Sequence, residues 1–314
     1  MAKQNIDATP NEFLQPFEYQ KWKIIGDQID FHESSKIRRT ESTFSLFIKK
    51  FFSNFWGTLG IAILLIVILS AIILPFFSQE PNKTNVDNRM LSIGQDGHLI
   101  GTDKLGRDLW ARLWTGVRVS LLLSLIVTTV DLFIGVTLGL LMGKFERFDK
   151  NMQYLLKVIT NIPVIILMII FVMVFGSTFW VLAFSMTITG WTGMAQQIRS
   201  QTKRVAVSEW NEASKMLGTP KYKQTFNLLP HLIPMFITQL VFTIPGAITS
   251  ETGLAFIGLS LNETATLGTL ISDGVELVTL YPRYVLIPSS ILVMIVTSIQ
   301  FIGNTTQEAL RKAR

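Results

Sequence analysis

Long apolar blocks separated by short polar ones run along this chain of 314 residues. Residues 56–77 carry no charge and hold Pro75 near their end, which predicts a helix long enough to cross a bilayer. Five further apolar blocks lie at about 119–143, 158–175, 179–198, 231–249 and 284–302. Each has about eighteen residues or more, the length that marks a span. In the second block Gly135, Gly139 and Gly143 recur every fourth residue. They leave a smooth strip on one helix face, suited to close packing. Pro163 inside the third block predicts a bend near Asn161. Gly176, Ser177 and Thr178 predict a tight turn before the fourth, and the fifth carries Pro234 and Pro245. The pattern predicts an all-α polytopic membrane protein with six transmembrane helices.

The polar blocks sort these spans by side. Residues 1–41 are polar, mixed in charge and without a cleavable signal, and read as a tail. In 42–55, Phe44, Phe47, Ile48, Phe51, Phe52 and Phe55 recur at helical spacing, with Lys49 and Lys50 on the other side. That stripe suits a helix lying in the headgroup layer, or the ragged start of the first span. Residues 78–118, 144–157, 199–230, 250–283 and 303–314 read as loops and a closing tail. Of the 28 Lys and Arg, 21 fall in 1–50, 144–157, 199–223 and 303–314. Basic residues favour the cytoplasm, so both termini and 199–230 are expected inside. Loop 78–118 goes against the rule with six basic residues, partly balanced by Glu80, Asp87, Asp96, Asp103 and Asp108.

Composition narrows the function classes. The chain is 49% hydrophobic and 16% charged, against about 25% charged in soluble domains. No cysteine means no disulfide, Cys–metal site or thiol chemistry. His32, His98 and His231 lie too far apart in sequence for ligand spacing, so no metal site is expected. No nucleophile–base cluster marks a catalytic site. Gly139 to Lys144 falls one residue short of a phosphate loop and sits in a span. The net charge of +6 fits cytoplasmic loops, not nucleic acid.

The most polar run of the second half, 208–230, reads SEWNEASKMLGTPKYKQTFNLLP. Ser208 is expected to N-cap a helix over 209–217, its hydroxyl oxygen accepting a free N–H. Gly218 supplies a left-handed stop, and Thr219 and Pro220 restart a helix as N-cap and first-turn proline. Lys215, Lys221 and Lys223 hold this hairpin at a membrane surface. Glu212, Ala213 and Ser214, three residues, then Gly218 resemble the EAA loop of ABC-importer permeases. In that family the pattern is Glu-Ala-Ala, three residues, Gly, then a proline thirteen residues on. Here Ser214 replaces the second alanine, and Pro230 stands twelve residues beyond Gly218. That missing residue is worth about 100° of helical rotation.

Residues 98–121, HLIGTDKLGRDLWARLWTGVRVSL, resemble the signature of C-type permease subunits of the oligopeptide/dipeptide importers. The match includes Gly101, Asp103, Gly106, Arg107, Asp108 and Arg112. Read without the family, Gly101 and Gly106 bracket a turn. Asp103 and Asp108 can cap a helix start or pair with Arg107 and Arg112. Residues 251–274 resemble the family's segment after its fifth span, with Leu267 in place of the usual Trp. Ile302, Gly303 and Asn304 resemble its C-terminal end, with Asn for Asp and without the final Asp-Pro.

The resemblance covers about residues 55–310 and implies a type I ABC-importer permease fold, with core 119–302 and a cytoplasmic coupling helix between spans 4 and 5. It implies a subunit that is not an enzyme and binds no cofactor. ATP and Mg would sit on two separate ATPase subunits. A second permease subunit and an extracytoplasmic peptide-binding protein would complete the complex in a bacterial cell membrane. Glu209, Glu212, Ala213, Ser214, Gly218 and Pro220 would transmit ATPase motion. The substrate implied is an oligopeptide, with a dipeptide, nickel or another small solute as alternatives. An ion-driven secondary transporter is the rival of another class, and would show inverted repeats and several buried acids.

Two acids stand out in or beside the spans. Asp131 lies mid-span, where a charge costs roughly 2.5–3.5 kcal/mol, so it must face a polar cavity or a partner subunit. Thr128, Thr129 and Thr137 nearby extend a wet face. Glu251 lies at the outer end of the fifth span. Both are candidates for the substrate path or gate, or for helix–helix hydrogen bonds.

Overall fold

A computed structural model describes residues 43–261 and 264–313. The expected tail 1–41 lies outside the described residues. Among those described there are ten α-helices, two single 3₁₀ turns and one isolated bridge, Thr102 to Asp108.

Helix α1, Thr43–Phe52, is separate from α2, Phe55–Phe77. The break arises at Asn54, whose side chain accepts from the Trp56 N–H and caps α2. Helix α3, Leu109–Lys144, begins ten residues before the expected span. Arg112 and Arg118 end the apolar block there, but Asp108 accepts from the Ala111 N–H and starts the helix earlier. At 36 residues it is about 54 Å long, beyond the ~30 Å hydrocarbon layer.

The expected basic loop 144–157 is instead mostly helix α4, Glu146–Thr160. It folds because it has an inner face: Leu156 and Asp149 are buried. Asp149 takes Arg199 and Lys203 as partners. The bend expected near Asn161 occurs there, but at 78° it breaks the block. The helix beyond the bend, α5, Val164–Phe175, is only 12 residues or about 18 Å. Gly176 ends it at φ 89°.

Helix α6 is Phe179–Ala206, α7 Glu209–Met216 and α8 Lys221–Phe256. The hairpin's second helix and the fifth block are therefore one continuous helix through Pro230, Pro234 and Pro245. Thr238 and Thr249 hydroxyls donate to the carbonyls of Pro234 and Pro245. Loop 250–283 contains the end of α8 and a short helix α9, Leu267–Val275. Helix α10, Arg283–Ala313, absorbs the expected tail from 303 onward.

Four helices, α2, α3, α8 and α10, are long and apolar enough to cross a membrane. The bent pair α4–α5 makes a fifth candidate. Helix α6 has the length, but its Thr, Gln, Arg and Lys residues keep it out of that group. The α3–α6 seam uses the expected glycine strip. A Cβ on Gly135, Gly139 or Gly143 would meet Met194, Ile198 or Thr202 of α6 at 2.8, 2.6 and 2.4 Å. One apolar cluster joins α2, α3, α8, α9 and α10 around Val67, Val117, Ile248, Leu267 and Ile295. A second joins α3, α5 and α6 around Leu123, Met168, Val172 and Leu182.

Candidate functional site

The hairpin between α6 and α8 is built by local backbone motifs. Ser208 has the extended backbone of an N-cap, but its hydroxyl does not accept from α7. It donates back to the Val205 carbonyl at 2.6 Å, closing the end of α6 instead. Buried Asn211 reaches the Ala206 carbonyl at 2.6 Å, so α7 is tied to α6 by its own side chain. At the other end Thr219 N–H donates to Ser214 O and Gly218 N–H to Lys215 O. Those two bonds, with Gly218 at φ 75°, form a Schellman turn. Ser214 adds a hydroxyl bond to Thr219 at 3.0 Å, which the alanine usual at this position could not make. The restart is one residue later than expected: Pro220 takes the N-cap position and Lys221 begins α8. Gln224 holds this start by donating to Thr219 O, and Lys144 at the end of α3 donates to Gln224.

Glu209 and Glu212 lie in the first turn of α7, where carboxylates suit the helix dipole. Met216 and Leu217 stand 85% and 86% exposed at the tip. On the inner side the Trp210 ring stacks on His231 of α8, centroids 4.7 Å apart and planes 24° apart.

The opposite polar block, 78–108, is folded by its charges. Asp103 accepts from the backbone N–H of Leu105 and Arg107, from Arg107 Nε at 2.7 Å and from Arg112 Nη1 at 2.5 Å. Asp108 caps α3 and pairs with His98 Nδ1 at 2.9 Å. Of the two roles open to these acids, Asp103 takes the pairing with both arginines and Asp108 takes the cap. Gly101 and Gly106 turn the chain at φ 86° and 74°. A Cβ on Gly106 would lie 1.7 Å from the Asn85 carbonyl oxygen. Arg112 Nη2 also reaches Asp273 of α9 at 3.4 Å.

Glu251 lies near the C-terminal end of α8. It is buried within α8, where Thr266 and Ser120 hydroxyls donate to its carboxylate. Ser120 also accepts from the Leu267 N–H at 3.0 Å, so α3, α8 and the start of α9 meet at one acid. Asp131 is 2% exposed in the α3–α6 seam. A Cβ on Gly190 of α6 would lie 2.1 Å from its Oδ2, and its Oδ1 has no hydrogen-bond partner among the described residues. The structure does not bring these two acids together.

Sequence reasoning missed Asp149. Its bond to Arg199 Nη2 is 2.8 Å and to Lys203 Nζ 2.5 Å. The hydrogen bond from Arg199, more than that from Lys203, holds the Asp149 carboxyl below the usual carboxylate range. Helical periodicity across 146–160 was the available signal. No group of three His, Cys, Asp or Glu suited to a metal occurs among the described residues.

Similarity to known proteins extends over most of the chain. Residues 135–313 match the family model described as binding-protein-dependent transport system inner membrane component. Residues 42–92 match the N-terminal TM domain of oligopeptide transport permease C. The oligopeptide transport system permease protein AmiD of Streptococcus pneumoniae is 34% identical over 275 residues, 86% of this chain and 88% of that one. Its counterpart OppC of Bacillus subtilis is 30% identical over 265 residues, 83% and 87% of the two chains. The dipeptide permease DppC of Bacillus subtilis is 28% identical over 259 residues, 81% of this chain and 80% of that one. With the family model spanning 135–313 and these relatives aligned along most of its length, this chain belongs to the binding-protein-dependent transport system inner membrane components.

Proposed function

We propose that this chain is one permease subunit of an ATP-driven ABC importer of oligopeptides. Six spans, α2, α3, 158–175 across the α4–α5 bend, α6, α8 and α10, cross a bacterial cell membrane, with both termini cytoplasmic and α1 in the headgroup layer. Relatives that carry oligopeptide permease names along most of this chain support the substrate class. The observation that carries the mechanism is the build of α7. A rigid helix, fastened to α6 and closed by a Schellman turn, presents bare Met216 and Leu217. Exposed apolar side chains at a stiff tip mark a protein contact.

In this reading α7 seats in a groove of an ATPase subunit that holds ATP and Mg. Glu209, Glu212, Ala213, Ser214, Gly218 and Pro220 form the coupling unit. A second permease subunit completes the path, and an extracytoplasmic binding protein delivers the peptide. ATP shifts the cavity between inward and outward only as far as it favours one ATPase arrangement. Because α8 runs unbroken from the coupling turn to Glu251, displacement of α7 reaches the fastening of α9. Glu251 acts there at the gate, and Asp131 acts where α3 slides on α6.

The test is reconstitution with the partner subunits and binding protein in proteoliposomes. Peptide uptake is expected with internal ATP and no ion gradient. Uptake driven by a gradient without ATP would replace this reading with a secondary transporter.

A further inference from the structure

A cavity of about 750 Å³ opens between α6, α8 and α10, on the side where α7 lies. Its polar lining includes Gln197, Gln201, His231, Asn304 and Gln307. Glu308 and Arg311 line it as well, one charge of each sign. A second large space, about 670 Å³ between α3 and α8, is lined mainly by Leu, Phe, Val and Thr side chains and holds no amide. The contrast matters because a carboxamide carries both a donor and an acceptor and no charge. Each residue of a peptide backbone other than proline offers the complementary pair, whatever its side chain. Four amides on two facing helices therefore fit an extended peptide without choosing its sequence. The volume falls within the ~300–1,000 Å³ of small-ligand sites, room for a short segment at a time.

One wall of this cavity is joined to the coupling helix. His231 lines it, and the same ring stacks on Trp210 of α7. Movement of α7 therefore moves a side chain of the wall.

Resting on the importer reading above, we infer that this cavity is the inner section of the peptide path. Its amides pair with the peptide backbone, and the Trp210–His231 stack reshapes it during the ATPase cycle. In the full complex, Gln197→Leu, Gln201→Leu and Gln307→Leu combined should slow uptake about ten-fold or more, from three lost pairings. The loss should be equal for acidic, basic and neutral peptides, with binding-protein-stimulated ATP hydrolysis retained. Because the chain lacks cysteine, a thiol-reactive peptide gives a second readout. It should cross-link to Asn304→Cys during turnover and not to Thr137→Cys in the apolar space. Wild-type uptake by the triple variant, or equal labelling at both cysteines, overturns the cavity assignment while leaving the importer intact. Failure of the wild-type complex to import any peptide overturns the importer reading itself. Should the triple variant not assemble, the cross-link decides alone.

Discussion

Two polar blocks, 78–108 and 199–230, look alike in the sequence, yet they are held in opposite ways. The first is fastened to itself through side chains. Asp103 and Arg112 are 7% and 4% exposed, and Asp103 accepts from both arginines and from two backbone donors. The second is shaped mainly by backbone turns and local hydrogen bonds, and it sends Met216 and Leu217 into the open. The first block closes around its two buried acids, Asp103 and Asp108, each of which has partners. Both blocks expose apolar side chains, 44–63% for Val86, Ile93, Leu99 and Leu105 of the first, but only the second sets two adjacent ones, Met216 and Leu217, at 85% and 86% on a turn, the feature on which the proposed partner contact rests.

This comparison can be broken by parallel substitutions. The largest effect is expected for Asp103→Ala, which takes the nearer carboxylate from two arginines, leaves them only Asp273 at 3.4 and 3.9 Å, and should cost up to about 3–5 kcal/mol. Thermal unfolding of the solubilised complex measures it, and an unchanged melting temperature would show that the first block is not held by this acid. Gly106→Val comes next, because a side chain there runs into the Asn85 carbonyl at positive φ; overpacking adds about 1–3 kcal/mol. Gly218→Val is its counterpart at φ 75°, but with open space around it, so only about 1–2 kcal/mol of left-handed strain is expected. Assembly should survive at Gly218→Val, while peptide uptake falls and ATP hydrolysis loses its dependence on binding protein. Equal loss of assembly in both glycine variants would erase the distinction between the blocks.

Ser214→Ala removes the bond to Thr219 and should cost about 0.5–1.5 kcal/mol, read as a small fall in uptake. The smallest effect is pH-dependent. Asp149 has its folded pKa lowered by Arg199 and Lys203, so its contribution is present above its unfolded pKa of about 3.9 and lost as pH falls through the folded value. Asp149→Asn should lower the melting temperature at pH 7, and the gap from wild type should close on acidification. A gap that widens in acid would reverse the sign of this linkage.

Much of the candidate site is legible from adjacent residues. Gly218 after Met216 and Leu217 marks a left-handed stop, because only glycine takes that φ without a Cβ penalty. The stop itself is therefore visible from residues 214–219 alone. Ser208 misled because a hydroxyl both donates and accepts, and its choice between Val205 O and an α7 N–H depends on how α6 ends. Helix α4 is readable from its helical periodicity but passes for a charged loop; only the pairing of Asp149 with Arg199, fifty residues away, needs the fold.

The sequence by itself determined the all-helical class, the bend at Asn161, the glycine seam of α3, the Gly218 stop and the family. These rest on periodicity, local φ preference and motif spacing, which need no distant partner. Only the tertiary structure decided that α8 is one helix from the Gly218 turn to Glu251, and that Ser120 meets an acid 131 residues away. It alone set four amides from two helices around one cavity. The reason is physical: a side chain's local preferences are written beside it, but its hydrogen-bond partner across a helix seam is chosen by packing.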